Sequence, residues 1–303
     1  MFTHKVLVLG GSGFVGRHVC ERLNQLGIKM TVMTRRGAAK SVKHLPFVDV
    51  VQGNPYDPKA LKGALAGHTA VINLIAILHG TESEFERAHE RLPTSVATVC
   101  ADLNIKRIIH ISALGADQSA PSMYLRSKAR GEQSLHSVAK TKGLELTLIR
   151  PSVIFGLDDK FINVFAKLQK HFPFIPLAGA DAKFQPVWVV DVAHAVAECL
   201  VNPHTSNQTF ELGGPKVFTL RELVQFAGLW SKQSRPVIGL PPFTSYLQAL
   251  VMEHLPGPTV MSRDNLLSMR VDNVLSGKLP GLQALGVHAA QSLYGVFGVN
   301  APN

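Results

Sequence analysis

Ser112, Tyr124 and Lys128 are the residues of this 303-residue chain whose types and spacing could carry out a reaction. Tyr124 and Lys128 bracket Leu-Arg-Ser, so on a helix begun at Pro121-Ser122 they stand one turn apart on one face. An ammonium beside a phenol favours the phenolate and brings its pKa down from ~10 toward working pH, while the same ammonium can reach a ribose hydroxyl. A serine hydroxyl at the end of the strand Arg107–Ser112 can hold a substrate carbonyl. Together they suit a hydride transfer in which tyrosine gives or takes the proton. The plainer reading of Ser112, a hydroxyl satisfying a strand-end amide, stands beside this one.

Such chemistry needs a redox group, and the start of the chain has the pattern that holds one. The apolar run Val6–Leu9 breaks into Gly10, Gly13 and Gly16 and is followed by helical periodicity at Phe14, Val15, Val19, Leu23 and Leu26. Buried strand, glycine turn and helix in that order form a dinucleotide site: Gly10 permits the turn, Gly13 admits a pyrophosphate, Gly16 lets helix and strand pack closely, and the helix N-terminus faces the phosphates. Gly10, Ser12, Gly13, Phe14, Val15 and Gly16 are the cofactor candidates of this turn. The second strand, Ile28–Thr34, ends in Arg35-Arg36 where NAD sites carry an acid. Arginine there grips a 2′-phosphate, so the expected cofactor is NADP(H). After a third strand, Phe47–Gln52, Asn54 and Asp57 lie where a loop reaches an adenine edge, though Asp57 before Pro58 also reads as a helix N-cap. Asn73, the polar break in the strand Ala70–Ala76, either closes the cofactor pocket or ties down a loop. Pro151 opens the crossing into the second half and joins the cofactor candidates.

The glycine turn with Tyr124-x-x-x-Lys128 resembles the short-chain dehydrogenase/reductase superfamily. Tyr124-Leu-Arg-Ser-Lys-Ala, Arg150-Pro-Ser-Val-Ile-Phe-Gly156, Asp158-Asp-Lys-Phe-Ile-Asn163 and Gln185-Pro-Val-Trp-Val-Val-Asp-Val192 are similar to its atypical branch. That branch includes the NADPH-binding accessory subunit of respiratory complex I and its bacterial relatives. The resemblance runs to about Asn273. It implies a tightly held NADPH, a structural or assembly role in a membrane NADH:quinone oxidoreductase, and for some relatives a link to quinone biosynthesis. By position it assigns Gly10, Gly13 and Gly16 to the pyrophosphate, Arg35 and Arg36 to the 2′-phosphate, Lys128 to the nicotinamide ribose, and Ser112 with Tyr124 to the catalytic pair. The separation of Ser112 and Tyr124 is shorter than in typical active members. The rival expectations are an active NADPH-dependent reductase of a carbonyl or quinone-like substrate and a regulator that reports the NADPH/NADP ratio to a partner.

The elements that must position these residues read as an α/β chain: a Rossmann-type, doubly wound parallel sheet of about seven strands with a small C-terminal α/β lobe. Residues 1–150 form the NADP(H)-binding core; residues 151–303 interleave the remaining core elements with the lobe and an apolar tail. The sequence predicts one long helix over Glu82–Asp102, interrupted near Leu92 by Pro93, an N-cap at Asp191, and capping by Thr219 with Glu222. Beyond Pro241 come apolar helices over Phe243–Leu255 and Ser262–Arg270, and no Lys, Arg, Asp or Glu follows Lys278. Leu282, Leu285, Ala289, Leu293 and Val296 fall on one helical face, which could dock on the lobe, a partner or a membrane surface.

Composition bounds the rest. Lys and Arg number 31 against 21 Asp and Glu, a formal charge of +10, which favours anionic partners: nucleotide phosphates, acidic proteins or lipid headgroups. The basic residues are scattered without aromatic interleaving, so nucleic acid is not an expected partner. Cys20, Cys100 and Cys199 are isolated thiols without metal spacing, which argues for a reducing compartment and against zinc or a disulfide framework. The first apolar run belongs to the glycine-turn strand, not to a signal peptide, and Thr69–Leu78 is too short to span a bilayer. The chain is expected in the cytoplasm, with peripheral contact at the inner face of the membrane.

Overall fold

The computed structural model describes residues 4–35, 38–254 and 261–301. Six strands and the helices between them build the first half: β1 (Lys5–Leu9), α1 (Phe14–Gln25), β2 (Lys29–Thr34), β3 (Val48–Gln52), α2 (Pro58–Leu65), β4 (Ala70–Asn73), α3 (Glu82–Glu86), α4 (Leu92–Asp102), β5 (Arg107–Ile111), α5 (Met123–Lys142) and β6 (Glu145–Pro151). The short strands β7 (Ile154–Phe155), β8 (Ile175–Leu177), β9 (Lys183–Phe184) and β10 (Val187–Trp188) follow, with α6 (Ile162–His171) between the first two. Then come α7 (Val189–Val201), β11 (Thr209–Leu212), β12 (Phe218–Thr219), α8 (Leu220–Ser231), β13 (Val237–Gly239), α9 (Pro242–His254), α10 (Arg263–Ser268) and α11 (Leu293–Phe297).

Seven strands form one parallel sheet in the order β11-β6-β5-β4-β1-β2-β3. The strands are apolar on both faces because helices cover both. Val6 and Val8 join α1 and α7 in one core cluster, while Leu7 and Leu9 join α2, α4 and α5 in the other. Each such buried aliphatic side chain contributes about 1.5–3 kcal/mol by leaving water. The chain runs outward from β1 to β2 and β3, then returns to the other side of β1 at β4. The order therefore reverses between β1 and β4, and the crevice at their carboxyl ends lies beneath the glycine turn.

The long helix after β4 is split, but the break is not a simple proline kink. Arg87–Arg91 form a π-helical turn between α3 and α4, and Pro93 enters α4 just behind it. The wide turn accommodates the proline, which has no N–H for the ladder and would crowd a carbonyl four residues back. A capping box at Thr81 with Glu84 starts α3, and a second at Thr219 with Glu222 starts α8. Asp191 is not the N-cap of α7. Trp188 holds that position, and Asp191 lies in the first turn, where its carboxylate accepts the Gln291 amide at 2.9 Å.

The tail also departs from the expectation of a single helical face. Leu282 and Leu285 sit in one 3-10 turn packed on α7, and the left-handed Gly286 ends it. Ser292 caps α11, from which Leu293 and Phe297 enter a different cluster with Phe155, Phe226 and Trp230. Leu282, Leu285, Val287, Leu293 and Phe297 are thus buried in the chain's own core, while Ala289 is exposed.

Candidate functional site

The glycine turn has the geometry that a close-approaching phosphate needs. Gly10 is left-handed at φ +82°, and a Cβ added to Gly16 would lie 2.1 Å from the Gly10 carbonyl oxygen. Gly13 stands at the N-cap of α1 and offers no capping side chain, and the first turn carries no acid, so its amides remain available to an anion. Ser12 Oγ lies 3.1 Å from Thr34 Oγ1, which ties the turn to the end of β2, and Ser41 Oγ donates to the Ser12 carbonyl. Phe14 packs beneath Gly156, and Val15 packs against the α1–α7 core.

The other predicted residues divide between the crevice and its rim. Arg35 is exposed at the end of β2; Arg36 lies outside the described residues. Asn54 Oδ1 accepts the Tyr56 amide, and Asp57 caps α2 by accepting the Lys59 amide at 2.9 Å. Both side chains therefore hold local turns at the carboxyl end of β3. Asn73 is buried; its Oδ1 accepts the Ile75 amide and its Nδ2 donates to His110 Nδ1 at 3.2 Å. Pro151 ends β6, and its carbonyl accepts the Leu114 amide two residues beyond Ser112.

Ser112 and Lys128 meet at the end of β5 and Tyr124 packs on the Ala113–Ala120–Leu125 cluster just beyond it, yet among the described residues no hydrogen bond joins the three. Lys128, 1% exposed, donates from Nζ to the Ile111 carbonyl at 3.1 Å. Burial lowers its pKa to about 8, against the raising influence of Glu132. Ser112 Oγ is buried without a hydrogen-bond partner among the described residues. Tyr124 stands edge-on to His89, ring centroids 5.5 Å apart, and its hydroxyl bonds to no described residue. The expected lowering of the phenol is absent: burial pushes Tyr124 up to about 12. Desolvation penalises the phenolate, and the Lys128 ammonium is turned to the Ile111 carbonyl.

Two histidines complete this interior. His89, in the π-helical turn, accepts the Ile77 amide at Nε2 (3.1 Å), so Nδ1 carries the hydrogen and donates to Ser127 Oγ at 2.8 Å. That hydroxyl in turn donates to the Tyr124 carbonyl. His110 accepts from Asn73 at Nδ1, which leaves its Nε2–H buried and without a partner among the described residues. Burial, then the nearby Lys128 charge, hold both rings neutral, with pKa values lowered to about 2 for His89 and about 3 for His110. Nothing in the sequence pattern singles out His89. His110 had a signal: Asn73 and His110 are polar breaks paired in register on adjacent apolar strands.

Asp264 was not legible at all. Its carboxylate accepts the Met123 amide at 2.6 Å and the Tyr124 amide at 3.0 Å, while Ser122 Oγ accepts the Leu125 amide. The N-terminus of the tyrosine-bearing helix is therefore capped from α10. Glu132 on α5 grips Arg150 of β6 with both carboxylate oxygens, fixing the far side of the same helix. A cavity of about 640 Å³ lies on the flank of α1, walled by Arg17, Ser41, Asp158 and Trp188, with an Arg17–Asp158 ion pair across it. Ser112, Tyr124 and Lys128 do not line it. Among the described residues no three His, Cys, Asp or Glu are grouped to hold a metal ion, and the three cysteines are buried thiols with pKa values raised to about 12 by burial.

Residues 6–213 match the model of the NAD dependent epimerase/dehydratase family. The chain belongs to that family. This member is 32% identical over 287 residues to NADH dehydrogenase (ubiquinone) 1 alpha subcomplex subunit 9 of Arabidopsis thaliana, covering 89% of the chain and 70% of the relative. It is 29% identical to the protein of the same name from Mus musculus, over 92% of the chain and 75% of the relative. Among solved structures, this family member superposes on a nucleoside-diphosphate-sugar epimerase from Staphylococcus aureus with a TM-score of 0.73 at 14% identity, covering 97% and 99% of the two chains. A UDP-glucose 4-epimerase from Thermus thermophilus, solved as a complex with NAD, gives 0.67 at 19% identity over 88% and 99%. At such identities the structural likeness speaks to the fold.

The site fits the nicotinamide dinucleotide that the family name implies. The glycine cradle is one that a Cβ would fill, and two buried polar groups toward the carboxyl end of β5, Ser112 Oγ and His110 Nε2, have no partner among the described residues.

Proposed function

We propose that this chain is an NADP(H)-binding, short-chain-dehydrogenase-like protein that serves as an accessory or assembly factor of a membrane NADH:quinone oxidoreductase, or in the quinone metabolism tied to one. The observation that carries the reading is the similarity to NADH dehydrogenase subunits over about nine-tenths of the chain. In this reading Gly10, Ser12, Gly13, Phe14, Val15 and Gly16 hold the pyrophosphate half. Arg35 and Arg36 take the 2′-phosphate, Asn54 and Asp57 border the adenine, and Asn73, Lys128 and Pro151 border the nicotinamide ribose. The absence of an acid at the end of β2, with exposed Arg35 in its place, supports NADP(H) over NAD(H). The unjoined Ser112, Tyr124 and Lys128 support retention of the cofactor over rapid turnover, since a displacement of about 1 Å in such a site costs much of the rate. The protein would work in the cytoplasm, at the inner face of the membrane.

Affinity purification of the full chain under mild detergent should recover subunits of the oxidoreductase, with NADPH bound in native mass spectrometry. Recovery of the chain alone, without nucleotide, would refute both halves. Arg35→Ala should lower the preference for NADP(H) over NAD(H) by at least about tenfold, the loss of one charge-assisted phosphate contact; an unchanged preference removes the 2′-phosphate assignment.

The second reading, an active reductase, is favoured by the buried Ser112 hydroxyl, which has no hydrogen-bond partner among the described residues and is free to hold a carbonyl oxygen. A phenol held near 12 keeps its proton at neutral pH and stands ready to give it to a carbonyl oxygen held by Ser112. A bound nicotinamide would supply the hydride. Steady NADPH oxidation with a ketone or quinone, abolished by Tyr124→Phe, decides for it; no oxidation with saturating cofactor decides against it.

A further inference from the structure

The helix α9 turns four large side chains outward, while Met252 packs inward against Ala249 and its neighbours. Its buried positions are Ser245 and Ala249, one turn apart, whereas Phe243 is 79% exposed and Tyr246, Leu247 and Val251 are about half exposed. A helix that serves only its own core shows the reverse pattern. Single exposed apolar residues are ordinary, but these belong to a larger surface. Gln248 seats α9 on β8, donating to the Pro176 carbonyl at 2.8 Å and accepting the Ala178 amide at 3.1 Å. On β8, Ile175 and Leu177 enter the core, so Phe174 and Pro176 face out, and Pro176 pairs in register with exposed Ile238 of β13. Exposed Phe172 lies just before them at the end of α6.

The charge around this surface is predominantly positive. Residues 160–180 and 223–252, which supply all of it but the last two residues of α9, contain Lys160, Lys167, Lys170, Lys232 and Arg235 and no Asp or Glu. Lys167, Lys170 and Arg235 are exposed, and Arg235 bonds through its amide and Nε to Gln169, which sets it beside the Lys170-His171-Phe172 end of α6. Of the flanking acids, Glu222 caps α8 and Glu253, in the last turn of α9, pairs with Arg263, whereas Asp181 beyond β8 is exposed. Aromatic and aliphatic side chains projecting from a cationic rim match a bilayer interface, where apolar groups enter the acyl boundary and lysines stay among phosphates. Among the described residues no helix is long and apolar enough to span a membrane, so contact through this surface would be peripheral.

We infer that α9, with the outer face of β8 and β13, is a membrane-docking surface that seats the chain on anionic phospholipid. It rests on the proposed function only in that a membrane complex brings the chain to a bilayer, and it is tested without that complex. The full chain is floated with vesicles of phosphatidylcholine alone or mixed with phosphatidylglycerol. Binding should be at least about tenfold stronger to the mixed vesicles and should weaken with salt, since the screening length falls from ~10 Å at 0.1 M to ~3 Å at 1 M. Phe243→Glu with Val251→Glu, and separately Lys167→Glu with Lys170→Glu, should each reduce flotation by at least about tenfold. NADP(H) binding and circular dichroism should be unchanged in both. Equal binding to both vesicle types, or flotation insensitive to either pair, overturns the inference. So does a dimer that Phe243→Glu dissociates in the absence of lipid, which would assign the face to a second copy of the chain. Loss of nucleotide binding in the wild-type chain would bear on the proposed function and leave the docking result standing.

Discussion

Acidification should loosen the interior around Tyr124 because His89 and His110 are built in as neutral rings. Each uses a bare ring nitrogen as an acceptor, from the Ile77 amide and from Asn73 Nδ2 respectively, and protonation would replace that acceptor with a second donor beside buried Lys128. In the unfolded chain both take up a proton near the ordinary value of 6.5, whereas in the fold the values fall to about 2 and about 3. A depressed folded pKa gives stability that is complete above 6.5 and is lost as pH falls toward the folded value. One pH unit below the unfolded pKa, each ring costs about 1.4 kcal/mol, so about 3 kcal/mol is lost by the pair between about pH 7.5 and about pH 5.5. Urea unfolding of the wild type and of His89→Gln/His110→Gln at those two pH values measures it. His18, His68, His79 and His194 are shifted the same way by burial but are present in both proteins and cancel. Asp159 and Asp191, raised by burial, have the opposite sign and also cancel. The variant should be less stable at neutral pH and should lose about 3 kcal/mol less on acidification. Equal losses in the two proteins would refute the neutral-ring argument.

Other expectations follow from single contacts. Gly16→Ala sets a Cβ 2.1 Å from the Gly10 carbonyl oxygen, so the turn must open; dinucleotide binding should disappear by calorimetry even in preparations that retain helical circular dichroism. Asp264→Ala removes two charge-assisted caps from α5 and should lower stability by about 1–2 kcal/mol in denaturant titrations, whereas truncating the exposed Asp272 should change it by less than about 0.5 kcal/mol. Iodoacetamide at neutral pH should leave Cys20, Cys100 and Cys199 unmodified in the native chain and alkylate all three in urea, because burial holds each thiol near 12. Rapid labelling of the native protein would show that the fold opens at those sites.

The sequence by itself determined the sheet and its glycine turn. Strand patterns of continuous apolar residues, glycines at fixed spacing and caps such as Ser122 act over a few residues, so they read directly from the order of residues. The same holds for Asp57, whose role as a cap of α2 follows from the proline next to it. Only the tertiary structure decided what the interior does to those residues. Tyr124 and Lys128 are one helical turn apart as expected, but burial, a product of packing, shifts both, with Glu132 acting against it at Lys128. Asp264 reaches Tyr124 from 140 residues away, and His89 enters through a π-helical turn that propensity does not foretell. The tail, read as one helical face, is instead divided between two cores, and the face turned to solvent belongs to α9. Periodicity gives a helix its apolar stripe, but which stripe is covered depends on the shape of what it meets.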